Sequence, residues 1–491
     1  MQLDFKNLEN IDWSTCKICV LQPDYSTTNV DYKNYDPVRN LSSLIPEAHI
    51  DHVLLNKLTT YKQLQALAKN KYDIFVNLCE SYLEWEVPSI DVIHTLDLLN
   101  LPYTGPNAIL YDPPKELMKY VAFCEGVHTP GYALIESIED LWAQCAHLNF
   151  PLFVKPSKAG DSLGVDDKSL VHNEAELSHK VATLLNEFDQ LMVEEYIKGR
   201  EFTVMVAATA GANKFIKCFK PVEYIFPDGY EFKTYALKTS ELHLDANVPV
   251  NNIKILNQLE TAATAIFKGF NGEGYGRMDF RMDDKGVLYF LEINFTCSVF
   301  YSDGYEGSAD YILKYDGFGQ ANFLKQIIAE GIWRHRQKQK KYVIKGNSIA
   351  GYGIYAAHDF ATNDLIFKGE EMAQRMVTKR YVEENWNIKE KDIFRKYAYP
   401  VSNEVFLLWG NNPDEWAPQN HCCNANTAYQ GLNVVATRPI KKGEELTLDY
   451  AAFLDEHMEP FNCQCGTPAC RGLITGIPGN SVTKRENKRQ S

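Results

Sequence analysis

Three cysteines near the C-terminus, Cys463, Cys465 and Cys470, follow the spacing C-x-C-x4-C, and Cys423 supplies a fourth thiol forty residues upstream. Four thiolates make a closed tetrahedral set for a structural zinc ion, with no open position for catalysis. The stretch from Phe461 to Gly472 is too short and polar to hold a shape by burial, so bound metal would supply its folding energy. Gly466 and Pro468 stand at its turns. Free surface cysteines are the plainer reading, and the spacing favours zinc over it. Cys422, next to Cys423, is not required as a ligand. The other seven cysteines (Cys16, Cys19, Cys79, Cys124, Cys145, Cys218, Cys297) are scattered, often among apolar residues. They read as reduced thiols, and so as a sign of a cytoplasmic protein, rather than as a disulfide framework. A further signal, Gly351-Tyr352-Gly353, lies between the strand-like runs YVIKGNSIAG and IYAAHDF. Alone, a G-x-G of this kind is a turn.

The elements that must position these groups follow from periodicity. CKICVLQP and YDIFVNLCES read as buried parallel strands, with a helix between them around residues 61–71, where Leu64, Leu67 and Ala68 share a face. This alternation suggests a small α/β unit over residues 1–105, closed by the turn-rich PYTGPN. FPLFVKP, DQLMVEEYI, KFIKCFKPVEYIF and VLYFLEINF read as strands, and 251–267 and 320–341 as helices. The second helix ends basic (RHRQKQKK), as a solvated helix end does. After Tyr342, short strands punctuated by Gly and Asn imply a β-rich fold. The polar tail from about residue 479 is compositionally disordered.

A chain of 491 residues exceeds a single core. Hydrophobic residues make up 45% and charged residues 23%, as in ordinary globular proteins. The net charge of −14 argues against nucleic-acid or anionic-membrane partners. Residues 342–476 carry 13 Lys+Arg against 17 Asp+Glu, which suits a basic peptide substrate better than DNA. No apolar run reaches membrane-spanning length, and MQLDFKNLENIDW is unlike a targeting peptide.

NHCCNAN (420–426), GEELTLDY (443–450) and CQCGTPACRG (463–472) occur in the order found in SET-domain lysine methyltransferases, which this segment resembles together with their zinc-binding post-SET tail. The resemblance implies methyl transfer from S-adenosylmethionine to a lysine amine. It implies donor contacts from Gly351, Tyr352, Gly353, Asn420 and His421, and Tyr450 as the catalytic residue. It also implies zinc ligands at Cys423, Cys463, Cys465 and Cys470. A tyrosine hydroxyl can orient the amine and the methyl group in a dry channel, and its ring offers a π-face to a methylammonium product. Leu448 replaces the family's Phe/Tyr before the Asp-Tyr pair, Ala425 a proline and Cys422 a serine.

LPYTGPN, the lysines Lys115 and Lys119 before GVHTP, FPLFVKP, VEEYIKGREF, GRMDF and FLEINF resemble, in order, the ATP-grasp ligases of the D-alanine:D-alanine ligase type. By that resemblance Lys115 and Lys155 face triphosphate oxygens, and the loop from Ser157 to Gly164, with Ser162, closes over them. Glu194, Glu195 and Ile197 contact adenine, and Glu201 the ribose. Asp279, Glu292 and Asn294 bind magnesium, and Arg277 stabilises the oxyanion of an acyl-phosphate addition. Strand alternation puts Glu292 and Asn294 on one face, as a shared metal site requires. The acceptor segments depart: LQPDYSTT stands where the family has a Gly-rich turn, Asn294-Phe-Thr-Cys-Ser-Val lacks the family's Pro and Gly, and Asp161 replaces a serine. ATP and metal groups are retained while the acceptor pocket is rebuilt.

The expected fold is α/β plus β-rich. An ATP-grasp module has an N-terminal α/β subdomain (1–105) and two α+β subdomains (106–190 and 191–330). A basic linker (331–341), a SET domain (342–455), a post-SET zinc segment (456–476) and a tail (477–491) follow. The expected function is ATP-dependent carboxylate–amine ligation combined with S-adenosylmethionine-dependent methylation of a peptide, protein or small-molecule amine, using ATP, magnesium and zinc. The rivals are a methyltransferase whose ATP-grasp half only recruits substrate, and a non-catalytic binding protein.

Overall fold

The strand Lys17–Pro23 (β1) is buried along nearly its whole length, as its unbroken apolar run requires. It pairs in parallel with His49–Leu55 (β2) on one side and Ile74–Asn77 (β3) on the other, giving the order β2-β1-β3. The computed structural model of the chain describes residues 11–27, 36–80, 86–158, 164–211, 215–227, 229–232, 246–348, 351–370, 375–408 and 419–478. They fall into two compact units, Met1–Lys338 and Gln339–Ser491.

In the first unit, two further sheets follow the α/β layer. Tyr132–Ile135 (β4), Leu152–Pro156 (β5), Leu170–Val171 (β6) and Leu191–Glu195 (β7) form an antiparallel sheet in the order β4-β7-β5-β6. Arg200–Ala208 (β8), Ile216–Cys218 (β9), Val222–Tyr224 (β10), Asn247–Pro249 (β11), Tyr275–Met282 (β12) and Leu288–Asn294 (β13) form the other, with β8 and β12 central. KFIKCFKPVEYIF, expected as one strand, is two, β9 and β10, split by the Lys220-Pro221 pair; proline has no N–H for a ladder.

The helix Ile253–Gly269 buries Leu259, Ala263 and Ile266 against Val204, Met278, Phe280 and Phe290 of the larger sheet. Burying a side chain the size of Leu259 or Ile266 contributes about 1.5–3 kcal/mol. The helix Gly319–Lys338 covers most of the stretch expected as a linker. Its Phe323 and Ile327 join Ile18 and Val76 of the parallel layer to Met205 and Tyr275 of the larger sheet in one core.

The second unit is largely strands. Tyr342–Asn347 (β14) and Gly351–Ala356 (β15) form a hairpin. Leu365–Phe367 (β16), Asn420–His421 (β20), Thr427–Gln430 (β21), Asn433–Ala436 (β22) and Thr447–Leu448 (β23) form a sheet in the order β16-β22-β21-β23-β20. Arg375–Thr378 (β17), Tyr399–Pro400 (β18) and Val405–Leu408 (β19) form a third group. Two helices not expected from the punctuation, Lys379–Asn385 and Ile388–Tyr397, lie between β17 and β18. The second begins with a capping box, Asn387 with Glu390. The parallel pairing of β20 with β23 sets Asn420 beside Thr447 and His421 beside Leu448, bringing NHCCNAN against ELTLDY.

Candidate functional sites

In the first unit the charged residues converge where β5, β7, β12 and β13 meet the helix Lys115–Cys124. Lys115 is the first residue of that helix and Lys119 lies one turn on, so both ammonium groups project from one face. Glu194 of β7 receives Lys119 Nζ at 2.8 Å and Lys155 Nζ at 2.5 Å, and all three residues are buried. Burial alone would raise the Glu194 carboxyl, but Lys119 and Lys155 outweigh it and hold it at about 2. Lys155 is pushed down by burial but ends above its ordinary value, because Glu194, Glu292 and Asp279 act on it. Burial prevails at Lys115 and Lys119, both lowered.

Asp279 of β12 lies directly across from Glu292 of β13, and Arg277 across from Asn294. A bulge follows Asp279, where Phe280 pairs with Phe290 and Leu291 is the extra residue. Lys115 Nζ lies 3.8 Å from Glu292, and Arg277 3.9 Å from Asp279, whose other oxygen accepts from Thr203 Oγ1 at 2.8 Å. Glu292 and Asn294 do share a face, with Ile293 buried on the other. The Asn294 side-chain oxygen accepts from Thr296 N at 2.8 Å. Cations and carboxylate oxygens thus gather in one cluster, a set able to hold a polyphosphate and its divalent ion.

Two residues expected at the nucleotide have other partners. Glu195 accepts from the backbone and side-chain nitrogens of Asn149, at 2.9 and 2.8 Å. Glu201 lies 3.8 Å from Arg281, whose guanidinium covers the Tyr196 ring at 4.6 Å. Ile197 follows that tyrosine and is partly exposed. Ser162 lies outside the described residues.

In the second unit, a cavity of about 600 Å3 is lined by Asn347, Asn420, His421, Glu445, Tyr450 and Phe461, among others. The Tyr450 hydroxyl donates to Gln419 O at 2.6 Å, and burial raises its phenol well above the ordinary value, so it stays a neutral donor. Its ring meets those of His421, Phe453 and Phe461 edge-on, at 5.6, 5.7 and 6.0 Å. His421 Nδ1 accepts from Tyr450 N at 3.1 Å, which leaves the proton on Nε2, 3.4 Å from Cys423 Sγ. Burial lowers the histidine's pKa, favouring the neutral ring.

Asn420 Nδ2 donates to Tyr352 O and to Glu445 Oε1, both at 2.8 Å. Gly353 is buried beneath that carboxylate: a Cβ there would lie 2.3 Å from Glu445 Oε1, so the carboxylate fills the space a side chain would take. Gly351 adopts φ +84°, in the left-handed region. Tyr352 is exposed.

The thiols of Cys423, Cys463, Cys465 and Cys470 lie within 4.8 Å of one another. Cys423 and Cys463 are 3.8 Å apart. Tetrahedral zinc with Zn–S of about 2.3 Å sets sulfurs about 3.8 Å apart, so the quartet fits such an ion. Arg471 N and Cys465 N each donate to a thiol of the set at 3.4 Å, as amides do toward thiolates. Arg471 also pairs with Asp449 beside Tyr450, tying the cysteine segment to the tyrosine.

Sequence reasoning missed Asn347 and Glu445. Glu445 lay inside a motif already noted, and Asn347 had only its place beside the glycine turn.

The family description "D-ala D-ala ligase C-terminus" matches residues 126–300, and "SET domain" matches residues 351–451. Among curated relatives, a D-alanine–D-alanine ligase of Bordetella avium is 29% identical over 205 residues, covering 40% of this chain and 61% of that protein. One from Streptococcus thermophilus is 28% identical over 206 residues, covering 40% and 57%. The chain therefore spans less than two thirds of the length of these relatives. Among solved structures, the ATP complex of the Bacillus anthracis D-alanine–D-alanine ligase aligns at 20% identity with a TM-score of 0.47, covering 66% of this chain and 100% of that one. The fold and the two matches define a ligase-type α/β module followed by a SET domain. Residues 126–300 are thus similar to the C-terminal part of D-alanine–D-alanine ligases, and residues 351–451 to SET domains.

Proposed function

We propose that the chain is a bifunctional enzyme: an ATP-dependent carboxylate–amine ligase and an S-adenosylmethionine-dependent amine methyltransferase. The observation that carries the reading is the sorting of charge between the two sites. The first-unit cleft gathers fixed cations beside paired carboxylate oxygens, which suits a triphosphate with magnesium. The second-unit cavity offers aromatic faces, amides and a carboxylate, which suits a cationic sulfonium donor.

In the ligase half, Lys115, Lys119 and Lys155 hold phosphate oxygens, with Glu194 fixing two of these ammonium groups in place. Asp279, Glu292 and Asn294 hold magnesium, which would neutralise phosphate charge. Arg277 faces the oxyanion formed when the amine adds to the acyl phosphate. In the methyltransferase half, the Tyr450 hydroxyl and Gln419 O form a polar pair that orients the incoming amine. The rings of Phe453 and Phe461 keep water from it. The cysteine quartet holds a structural zinc ion and closes the cavity through Arg471 and Phe461. The ligated acid and amine differ from D-alanine, because the acceptor segments are rebuilt.

Two measurements test the reading. ADP release with ATP, magnesium and a panel of amino acids should occur in the native chain; none would leave the first unit a recruitment module. Tyr450→Phe should lower methyl transfer from labelled donor to lysate acceptors on the order of a hundredfold with donor binding retained. Unchanged turnover would refute the tyrosine's role.

A further inference from the structure

Glu445 lines the second-unit cavity with unusual support. Asn347 Nδ2 donates to both of its carboxylate oxygens, at 3.1 and 3.0 Å, and Asn420 Nδ2 to one of them at 2.8 Å. The Asn420 amide is itself fixed by Tyr352 O, and Gly353 leaves room for the carboxylate where any side chain would strike it. The backbone of Glu445 is bridged to Tyr355 of β15. The group is therefore pinned from three strands in one orientation.

Its partners among the described residues are amides, which satisfy hydrogen bonds without neutralising its charge. The ionisable residues lining the cavity, cysteines and tyrosines aside, are Asp392, Lys396, His421, Glu445 and Glu459. Lys396 is paired with Asp392 at 2.8 Å. The other carboxylates of the lining are Glu445 and Glu459. A half-buried carboxylate held by neutral donors and facing a cavity is arranged for a cation that arrives with the ligand.

We propose that Glu445 is the group that binds the α-ammonium of the methyl donor, with Asn347 and Asn420 as its positioning residues. This rests on the reading of the cavity as a methyl-donor site. The alternative role, a brace between strands that touches no ligand, predicts a different pattern of binding.

The test is calorimetric binding to the full-length chain of two probes, S-adenosylhomocysteine and the same thioether lacking the α-ammonium. The native chain should prefer the first by about tenfold to a hundredfold, the range of a charged hydrogen bond. In Glu445→Gln that preference should collapse to within a few-fold while the deaminated probe binds about as before; Glu445→Asp should retain part of it. If Glu445→Gln weakens both probes equally, or keeps the native preference, Glu445 is a brace and the assignment fails. Thermal melting of the unliganded variants reports the brace role separately. If the native chain binds neither probe, the methyl-donor reading fails first, and the assignment with it.

Discussion

The two sites handle a carboxylate shielded from water in opposite ways. In the first unit Glu194 is enclosed by Lys119 and Lys155, and its charge is consumed in holding those cations in place. In the second unit the partners of the Glu445 carboxylate among the described residues are amides, which leave it available to what enters the cavity. The same residue type is a positioning group in one cleft and a recognition group in the other. Its neighbours decide, because a carboxylate between ammonium groups has no field left to offer a ligand, whereas one between neutral donors does.

A third carboxylate sharpens the contrast within the first unit. Glu80 is nearly buried, 3.5 Å from Arg39, and burial drives its pKa from an ordinary 4.5 to about 7 despite that guanidinium. Arg39 divides its charge with Asp36 at 3.2 Å. One shared cation does not offset burial at Glu80, while two cations overcome it at Glu194.

The comparison can be broken first at the metal quartet. Chelation, or Cys465→Ser, should release the segment around Phe461 that borders the donor cavity. Methyl transfer should fall on the order of a hundredfold or more, with ADP release unchanged; a parallel loss of both activities would show that the units do not function independently. Next, Lys155→Ala should leave Glu194 buried with one partner. It should cost about 3–5 kcal/mol of first-unit stability in urea unfolding and remove ADP release. Retained ADP release would break the reading of the cleft as a polyphosphate site.

The smallest effect concerns pH. A carboxyl whose folded pKa is raised adds stability that is complete below the unfolded value and is lost as pH rises through the folded one. Between pH 4.5 and about 7 the native first unit should lose stability on the order of 1–3 kcal/mol relative to Glu80→Gln, read by denaturation at each pH. Glu194, held at about 2, has the opposite sign: its contribution persists above 4.5 and fades only as pH falls toward 2.

Much of the scaffold was legible because burial leaves a compositional mark. β1, β3, β5 and β7 are apolar runs bounded by turn residues, and Ile253–Gly269 has the helical spacing of its buried residues. β2 left no such mark, since HIDHVLL is mostly half-exposed at a sheet edge. The helices between β17 and β18 bury little, chiefly Val382 and Phe394, so their apolar period is faint; the capping residues Asn387 and Glu390 were the available signal.

The sequence by itself determined which chemical groups the protein owns: the thiols, the lysines, the carboxylates of β12 and β13, and the tyrosine after ELTLD. Ligand types at fixed spacing are a local property, and so is strand alternation. Tertiary structure alone decided how charge is distributed among those groups. Glu194 meets two lysines from separate elements, Glu445 meets amides from two other strands, and Glu80 shares an arginine from another loop. Electrostatic character depends on distances between groups remote along the chain and on how far water is removed from them, and neither is written in the order of residues.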